Sequence, residues 1–243
     1  MRRDVGRRGD VESAARTVWA WAEIISPHPG IVDHQLHVAH GQARAIDDGA
    51  GDRAFRPGGD VVQVDASRQS NRVSANVSGF LGTTRISLND NLLKQGTSDE
   101  VLAAMGHEMG HYVMGHITRD MLMDGLVIIL GFAFANWGYL LAVEFFGGQW
   151  QVRKISEVAG LPLLMALASL YLFLATPLTN SMARADEQQA DIFGLDAVRK
   201  PDAFASVILK LSTYRKLEPG KWEEMIFYDH PSGRTRIETA MRW

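Results

Sequence analysis

Apolar and polar positions are distributed unevenly along the chain. Residues 126–143 form a run of 18 without a formal charge, and residues 158–178 a run of 21. At the rise of an α-helix these runs span about 27 and about 31 Å, close to the hydrocarbon thickness of a bilayer. Between them, residues 144–157 hold Gly147-Gly148 and the cations Arg153 and Lys154. The pattern predicts a helical hairpin through a membrane, with spans at about 126–146 and 156–178. Trp137, Tyr139 and Trp150 suit the membrane–water boundaries. Pro162 and Pro177 fall near the ends of the second span, where proline is tolerated. Asn136 is the one strongly polar side chain of the first run and is expected to face the partner helix. The alternative is a pair of buried helices in a soluble core.

Elsewhere the pattern is that of a small α+β domain. Val61-Val62-Gln63-Val64-Asp65 predicts a strand. Residues 73–80 and 83–88 predict a β-hairpin around Gly79-Phe80-Leu81-Gly82, closed by Asn89-Asp90-Asn91. A helix then starts at Ser98, its expected N-cap, with Asp99 and Glu100 suiting the positive end of the helix dipole. It continues through His111. After the second apolar run, further helices are expected over residues 180–199 and 202–217. Residues 1–58 are rich in Arg, Asp, Gly, Ala and His, with turn signals at Pro27 to Gly30 and Arg56 to Gly59. His28, His34, His37 and His40 lie there, and a solvated arm suits them better than a metal site. The organisation expected is therefore a poorly organised arm, 1–58, and one domain, 59–243, that includes the two spans. Its fold class is mainly α with a small β-hairpin or sheet.

Composition changes this picture little but excludes several chemistries. Apolar residues make up 46% of the chain, and the mean hydropathy of -0.08 hides the two runs. The net charge of -3 and pI near 6.2 give no electrostatic case for nucleic acid. There is no cysteine, so disulfides, thiolate metal sites and a cysteine nucleophile are excluded. Any metal must be held by His, Asp or Glu. Arg2 and Arg3 precede only a short apolar run broken by Glu23, so no secretory signal is visible.

The candidate chemistry lies on either side of the hairpin. His107-Glu108-Met109-Gly110-His111 places two imidazoles four apart on one face of a predicted helix, where both reach one ion. Glu108 is placed to take a proton from a water on that ion. Zinc suits two imidazoles and a carboxylate with a fourth position open. His116, five residues beyond His111, is expected to point elsewhere. The acidic ligand is sought on the later helix, in Arg184-Ala185-Asp186-Glu187-Gln188-Gln189-Ala190-Asp191. Glu187 and Asp191 share a face, so Glu187 can bind the metal while Asp191 accepts a hydrogen bond from a liganding histidine. Asp186 points off that face. Alone, this segment would be an ordinary charged helix; the upstream motif gives it meaning.

An H-E-x-x-H motif, two spans and then E-x-x-x-D resemble the CAAX prenyl protease family of integral-membrane zinc peptidases, the a-factor-converting type. The HtpX-type membrane proteases are similar but more distant. Ser74 to Gly79 with Thr84 to Leu93 resembles that family's strand pair before the zinc helix. Asp229-His230-Pro231-Ser232 with Arg236-Ile237 resembles its C-terminal His-Pro motif. The resemblance implies a zincin-like domain interrupted by a two-helix transmembrane hairpin. It implies one zinc ion per chain on His107, His111 and Glu187, with Glu108 as base. His230 would stabilise the oxyanion, and Arg236 would pack or pair nearby. Ser74, Ala75 and Asn76 would lie on an edge strand that holds an extended polypeptide substrate. It further implies a multi-pass membrane protein in contact with lipid, its catalytic part cytoplasmic.

Two departures matter. The family often has Asn-Ala-Tyr or Asn-Ala-Phe where this chain has Ser74-Ala75-Asn76. Its members also carry several spanning helices before the catalytic part, and residues 1–58 hold none, as in a truncated or misread gene start. Besides C-terminal processing, two functions stay open: HtpX-like quality control of membrane proteins, and an inactive membrane protein with a zinc site. The positive charges do not orient the hairpin, because Arg153 and Lys154 in the loop balance Arg119 and Arg184 at the far ends.

Overall fold

The computed structural model describes residues 60–79, 85–150, 152 and 154–243. The arm 1–58 with its four histidines, the hairpin residues Phe80-Leu81-Gly82 and Arg153 lie outside the described residues. Among the described residues the elements are three strands, β1 (Asp60–Val64), β2 (Ala75–Ser78) and β3 (Arg85–Asn89), seven α-helices and a short 3-10 turn at Val158–Gly160. The helices are α1 (Asp90–Gln95), α2 (Ser98–Val113), α3 (His116–Trp150), α4 (Leu161–Val198), α5 (Pro201–Leu211), α6 (Lys221–Phe227) and α7 (Gly233–Arg242). The fold is thus mostly helical with a small mixed sheet.

β2 and β3 pair antiparallel, as the hairpin pattern predicts, but β1 pairs parallel to β3, giving the order β1-β3-β2. β2 is therefore an edge strand among the described residues. Asn89-Asp90-Asn91 does more than close the hairpin. The Asn89 carboxamide oxygen accepts from Ser74 N at 3.1 Å and from Leu92 N at 2.8 Å, so it caps α1 and holds the entry to β2. Asp90 accepts from the backbone of Ala66 and Ser67, and Asn91 donates to the carbonyls of Ser70 and Arg72. Three adjacent polar side chains thus satisfy loop 66–74, which would otherwise bury unpaired backbone groups.

α2 starts one residue earlier than expected. Thr97 rather than Ser98 is the N-cap: its hydroxyl accepts from Glu100 N at 3.3 Å, and Glu100 Oε2 accepts from Thr97 N at 2.6 Å. The spacing T-x-x-E favours this reciprocal pair over a lone serine. Val101, Leu102, Met105 and Met109 are buried and pack with Phe193, Leu195, Val198, Phe204 and Ile208. Each large side chain so buried contributes about 1.5–3 kcal/mol. α2 and α4 cross closely because small residues meet at the contact. A methyl built on Gly194 would lie 2.9 Å from His107 N, and one on Gly110 2.9 Å from the Cα of Ala190.

The second apolar run does not end before a separate helix; α4 is continuous from Leu161 to Val198. Pro177 has no N–H to give to Phe173 O, yet the helix runs on through it, with nearby hydroxyls bonding other carbonyls of the same helix. Thr176 Oγ1 donates to Leu172 O at 2.6 Å, and Ser181 Oγ to Pro177 O at 2.6 Å. α5 stops at Leu211 rather than 217, and α6 was not foreseen. α3 and α4 form an antiparallel pair. Tyr171 donates to Val127 O at 2.6 Å, Gly131 abuts Tyr171, Gly138 abuts Leu167, and Tyr139 donates to Lys154 O at 2.8 Å. Asn136 faces outward instead, because Ala135 and Tyr139 occupy the contact face. Both helices are long and apolar enough to cross a membrane. Their most apolar windows are only 11% and 6% buried, so among the described residues neither is the core of a soluble domain.

Candidate metal centre

α2, α4, α7 and the loop before α7 bring the motif residues together. His107 Nε2 and His111 Nε2 lie 3.1 Å apart. Glu187 Oε2 is 3.3 Å from the first and Glu187 Oε1 3.3 Å from the second. Taking one atom from each residue, the two imidazole nitrogens and a Glu187 oxygen all lie within 4.8 Å of one another, a grouping that one ion of zinc's preference for nitrogen and oxygen ligands can gather. Glu187 Oε2 is also buried without a hydrogen-bond partner among the described residues, as a ligand oxygen would be. The donor set therefore fits a metal.

The surroundings orient these groups. His107 Nδ1–H donates to Asp191 Oδ1 at 2.8 Å, leaving Nε2 as the free lone pair. Arg236 holds Asp191 with Nε to Oδ2 at 2.8 Å and Nη2 to Oδ1 at 2.5 Å. Burial disfavours charge on His107, yet the carboxylates of Glu187 and Asp191 outweigh it and raise its pKa to about 10. Burial likewise disfavours ionised Glu187, but His107 beside it keeps its carboxyl well below the usual range. A pocket so disposed to positive charge suits a cation as well as a proton.

Sequence reasoning missed two neighbours. His116 is buried, and its Nδ1 lies 2.9 Å from His111 Nδ1. Its i+5 spacing misleads because α2 stops there: Gly115 adopts a left-handed φ of 69° and turns the chain back. Burial, then His111 and Arg119, push the His116 pKa down to about 4, so this ring is neutral and can accept from His111. Asp186, off the ligand face as expected, is buried in an ion pair with Arg119 and so ties α4 to the start of α3.

The remaining candidates lie around a cleft of about 280 Å³. Glu108, Ser74, Ala75 and His230 line it, beside His107 and Glu187. His230 Nε2 is 3.4 Å from Glu187 Oε1, while its Nδ1 is 2.8 Å from Asp229 Oδ1. Asn76 does not line the cleft; it follows Ala75 on β2 and faces the other side, exposed.

The model of peptidase family M48 matches residues 42–243. The chain belongs to that family. An uncharacterized metalloprotease, YhfN of Bacillus subtilis, is 31% identical over 191 residues, covering 78% of this chain and 45% of that protein. The CAAX prenyl protease 1 homolog of Dictyostelium discoideum is 36% identical over 140 residues, covering 56% of this chain and 32% of that protein. The chain thus spans less than half the length of these curated relatives. The crystal structure of S. mikatae Ste24p matches with a TM-score of 0.60 at 18% identity, over 93% of this chain and 56% of that one. At that identity the likeness concerns the fold, in which this M48 chain places its motif helix and its Glu187 helix on either side of an apolar hairpin.

Proposed function

We propose that this chain is a zinc metalloendopeptidase that cleaves polypeptides at or near a membrane surface. The observation that carries the proposal is the convergence of His107, His111 and Glu187 at the spacing of three ligands to one ion, beside Glu108 and an open cleft. The three side chains would hold one zinc ion, which when bound supplies a Lewis acid that polarises a carbonyl and acidifies water.

The chain's own groups do the rest. Glu108 takes the proton of the attacking water and passes it to the leaving amine as the C–N bond breaks. His230 Nε2 faces the same space and donates to the oxyanion. Asp191 and Arg236 keep His107 in the tautomer that leaves Nε2 unprotonated. Ala75 and Ser74 present the free edge of β2 to an extended substrate, with main-chain pairing supplying affinity and the cleft supplying selectivity. Asn76, turned away, has no part in this.

Two rulers support the membrane-proximal site. Leu178 ends one apolar run and Glu187 lies nine residues on; His116 lies ten residues before Leu126, where the other begins. On α4 Glu187 therefore lies about 14 Å beyond the hydrocarbon, and on α3 His116, the neighbour of His111, about 15 Å, while headgroups extend about 5–8 Å. An extended substrate leaving the bilayer reaches the cleft within a few residues. By family resemblance the hairpin is part of a multi-pass protein with this face cytoplasmic, and C-terminal peptides of prenylated proteins are one substrate class, as the name of the Dictyostelium relative suggests.

The test is zinc content and peptide hydrolysis for the purified chain and Glu108→Gln, using a prenylated C-terminal peptide and an unprenylated one. Glu108→Gln should keep its zinc and lose at least about 100-fold in hydrolysis of either peptide. An active Glu108→Gln protein rules out the assigned base.

A further inference from the structure

Arg184 has no place in the chemistry above, yet it makes more directed contacts than its position on α4 requires. Its Nη1 donates to Tyr228 O at 2.5 Å and to Glu224 O at 2.9 Å, with Met225 O at 3.4 Å. Its Nη2 donates to Ser181 Oγ at 2.8 Å, which fixes the plane of the guanidinium. One turn earlier, Asn180 Nδ2 donates to Ile226 O at 2.7 Å. The acceptors are the last carbonyls of α6 and the residue that ends it. Glu224 O also accepts from Tyr228 N at 3.2 Å, but carbonyls at a helix C-terminus carry partial negative charge, so a planar cation with several donors suits them.

This contact fixes one end of the segment that carries His230. Tyr228 is two residues before His230, and its carbonyl is the shortest of Arg184's contacts. The other end is fixed by Ser232 N, which donates to Glu224 Oε1 at 2.8 Å, on the same helix α6. Arg184 in turn is one helical turn before Glu187 on α4. A single rigid helix therefore carries both the carboxylate that faces the metal position and the anchor of the histidine 3.4 Å from it.

We propose that Arg184 is a positioning residue for His230: by clasping the end of α6 it sets the distance from His230 Nε2 to the reacting carbonyl. The inference rests on the role given to His230 above. It separates from a general stabilising role, because a residue that acts through His230 has nothing to act on once that imidazole is removed.

The experiment is a double-mutant cycle on the zinc-loaded full chain in detergent. Arg184→Gln, Arg184→Lys, His230→Ala and Arg184→Gln/His230→Ala are compared for kcat, KM, zinc content and thermal midpoint. His230→Ala should lower kcat by about 100-fold, in line with the loss of one oxyanion donor. Arg184→Gln should lower kcat by about tenfold, with KM within about twofold and one zinc retained, and Arg184→Lys should fall between because an ammonium matches fewer carbonyls. The double variant should be no slower than His230→Ala. A double variant about tenfold slower than His230→Ala overturns the inference. So does loss of zinc in both Arg184→Gln and Arg184→Lys, which would make the residue a fold anchor. If His230→Ala alone matches the parent, the role of His230 itself fails, a result distinct from a slow but additive cycle.

Discussion

Replacing Gly194 by alanine tests whether helix contact geometry controls the metal site. In an isolated helix this change is favourable by about 1 kcal/mol. Here the added methyl would lie 2.9 Å from His107 N and 3.2 Å from the Gly106 carbonyl carbon and from His107 Cα. All three are backbone atoms of α2 and cannot rotate away. Ordinary carbon contact needs about 3.5–4.0 Å, so α2 must move from α4 by about 0.6–1 Å. Overpacking of this kind costs about 1–3 kcal/mol, which exceeds the propensity gain. The displacement falls at His107 itself, and it would widen the 3.3 Å edges that His107 and His111 make with Glu187 across the two helices. A widened site loses ligand geometry, and about 10–100-fold in metal affinity is expected, as when a supporting contact is removed. Gly125→Ala is the control, because nothing lies within 4 Å of its added methyl. Thermal unfolding and zinc competition with a chelator measure both effects. A Gly194→Ala protein as stable as the parent, with unchanged zinc affinity, would refute the claim that this crossing sets the site.

Two further outcomes are expected. Glu100 is buried against Lys210 and Ser206; burial raises its pKa, but Lys210, Ser206 and the Thr97 backbone outweigh it and bring it from 4.5 to about 2. Because the folded value is the lower, its contribution is complete above about pH 5 and fades as pH falls toward 2. Glu100→Gln keeps the capping geometry and should cost about 2 kcal/mol at pH 7, a gap that narrows below about pH 4 and closes only below about pH 2; a gap constant with pH in denaturant unfolding contradicts the charge-based account. His116→Ala should weaken zinc binding by about 10-fold or more through loss of the acceptor for His111 Nδ1, with His116→Asn partly restoring it; equal affinity of all three in chelator competition excludes that support.

What was legible in the sequence was what depends on fixed local spacing. His107 and His111, and Glu187 and Asp191, are each one helical turn apart, so their shared faces follow from helix geometry. The apolar runs likewise announce themselves by length. What was not legible depends on chain reversals and distant partners. His116 returns to His111 only because Gly115 breaks the helix with a positive φ. Asp186 finds Arg119 across the hairpin, and Arg184 finds carbonyls of a helix too short to predict. The continuity of α4 past Pro177 was not announced either, because a proline inside a run ordinarily interrupts a helix. The parallel pairing of β1 with β3 joins strands that are not neighbours in sequence. Asn76 shows the opposite lesson: strand alternation alone places it on the far side from Ala75, and the register agrees.

The central claim is that two imidazoles from α2 and one carboxylate from α4 share one ion. Zinc content after exhaustive dialysis, compared between the parent chain and Glu187→Ala, tests it most directly. The account predicts one zinc per chain in the parent and a clear deficit in the variant. Equal zinc in both would contradict it.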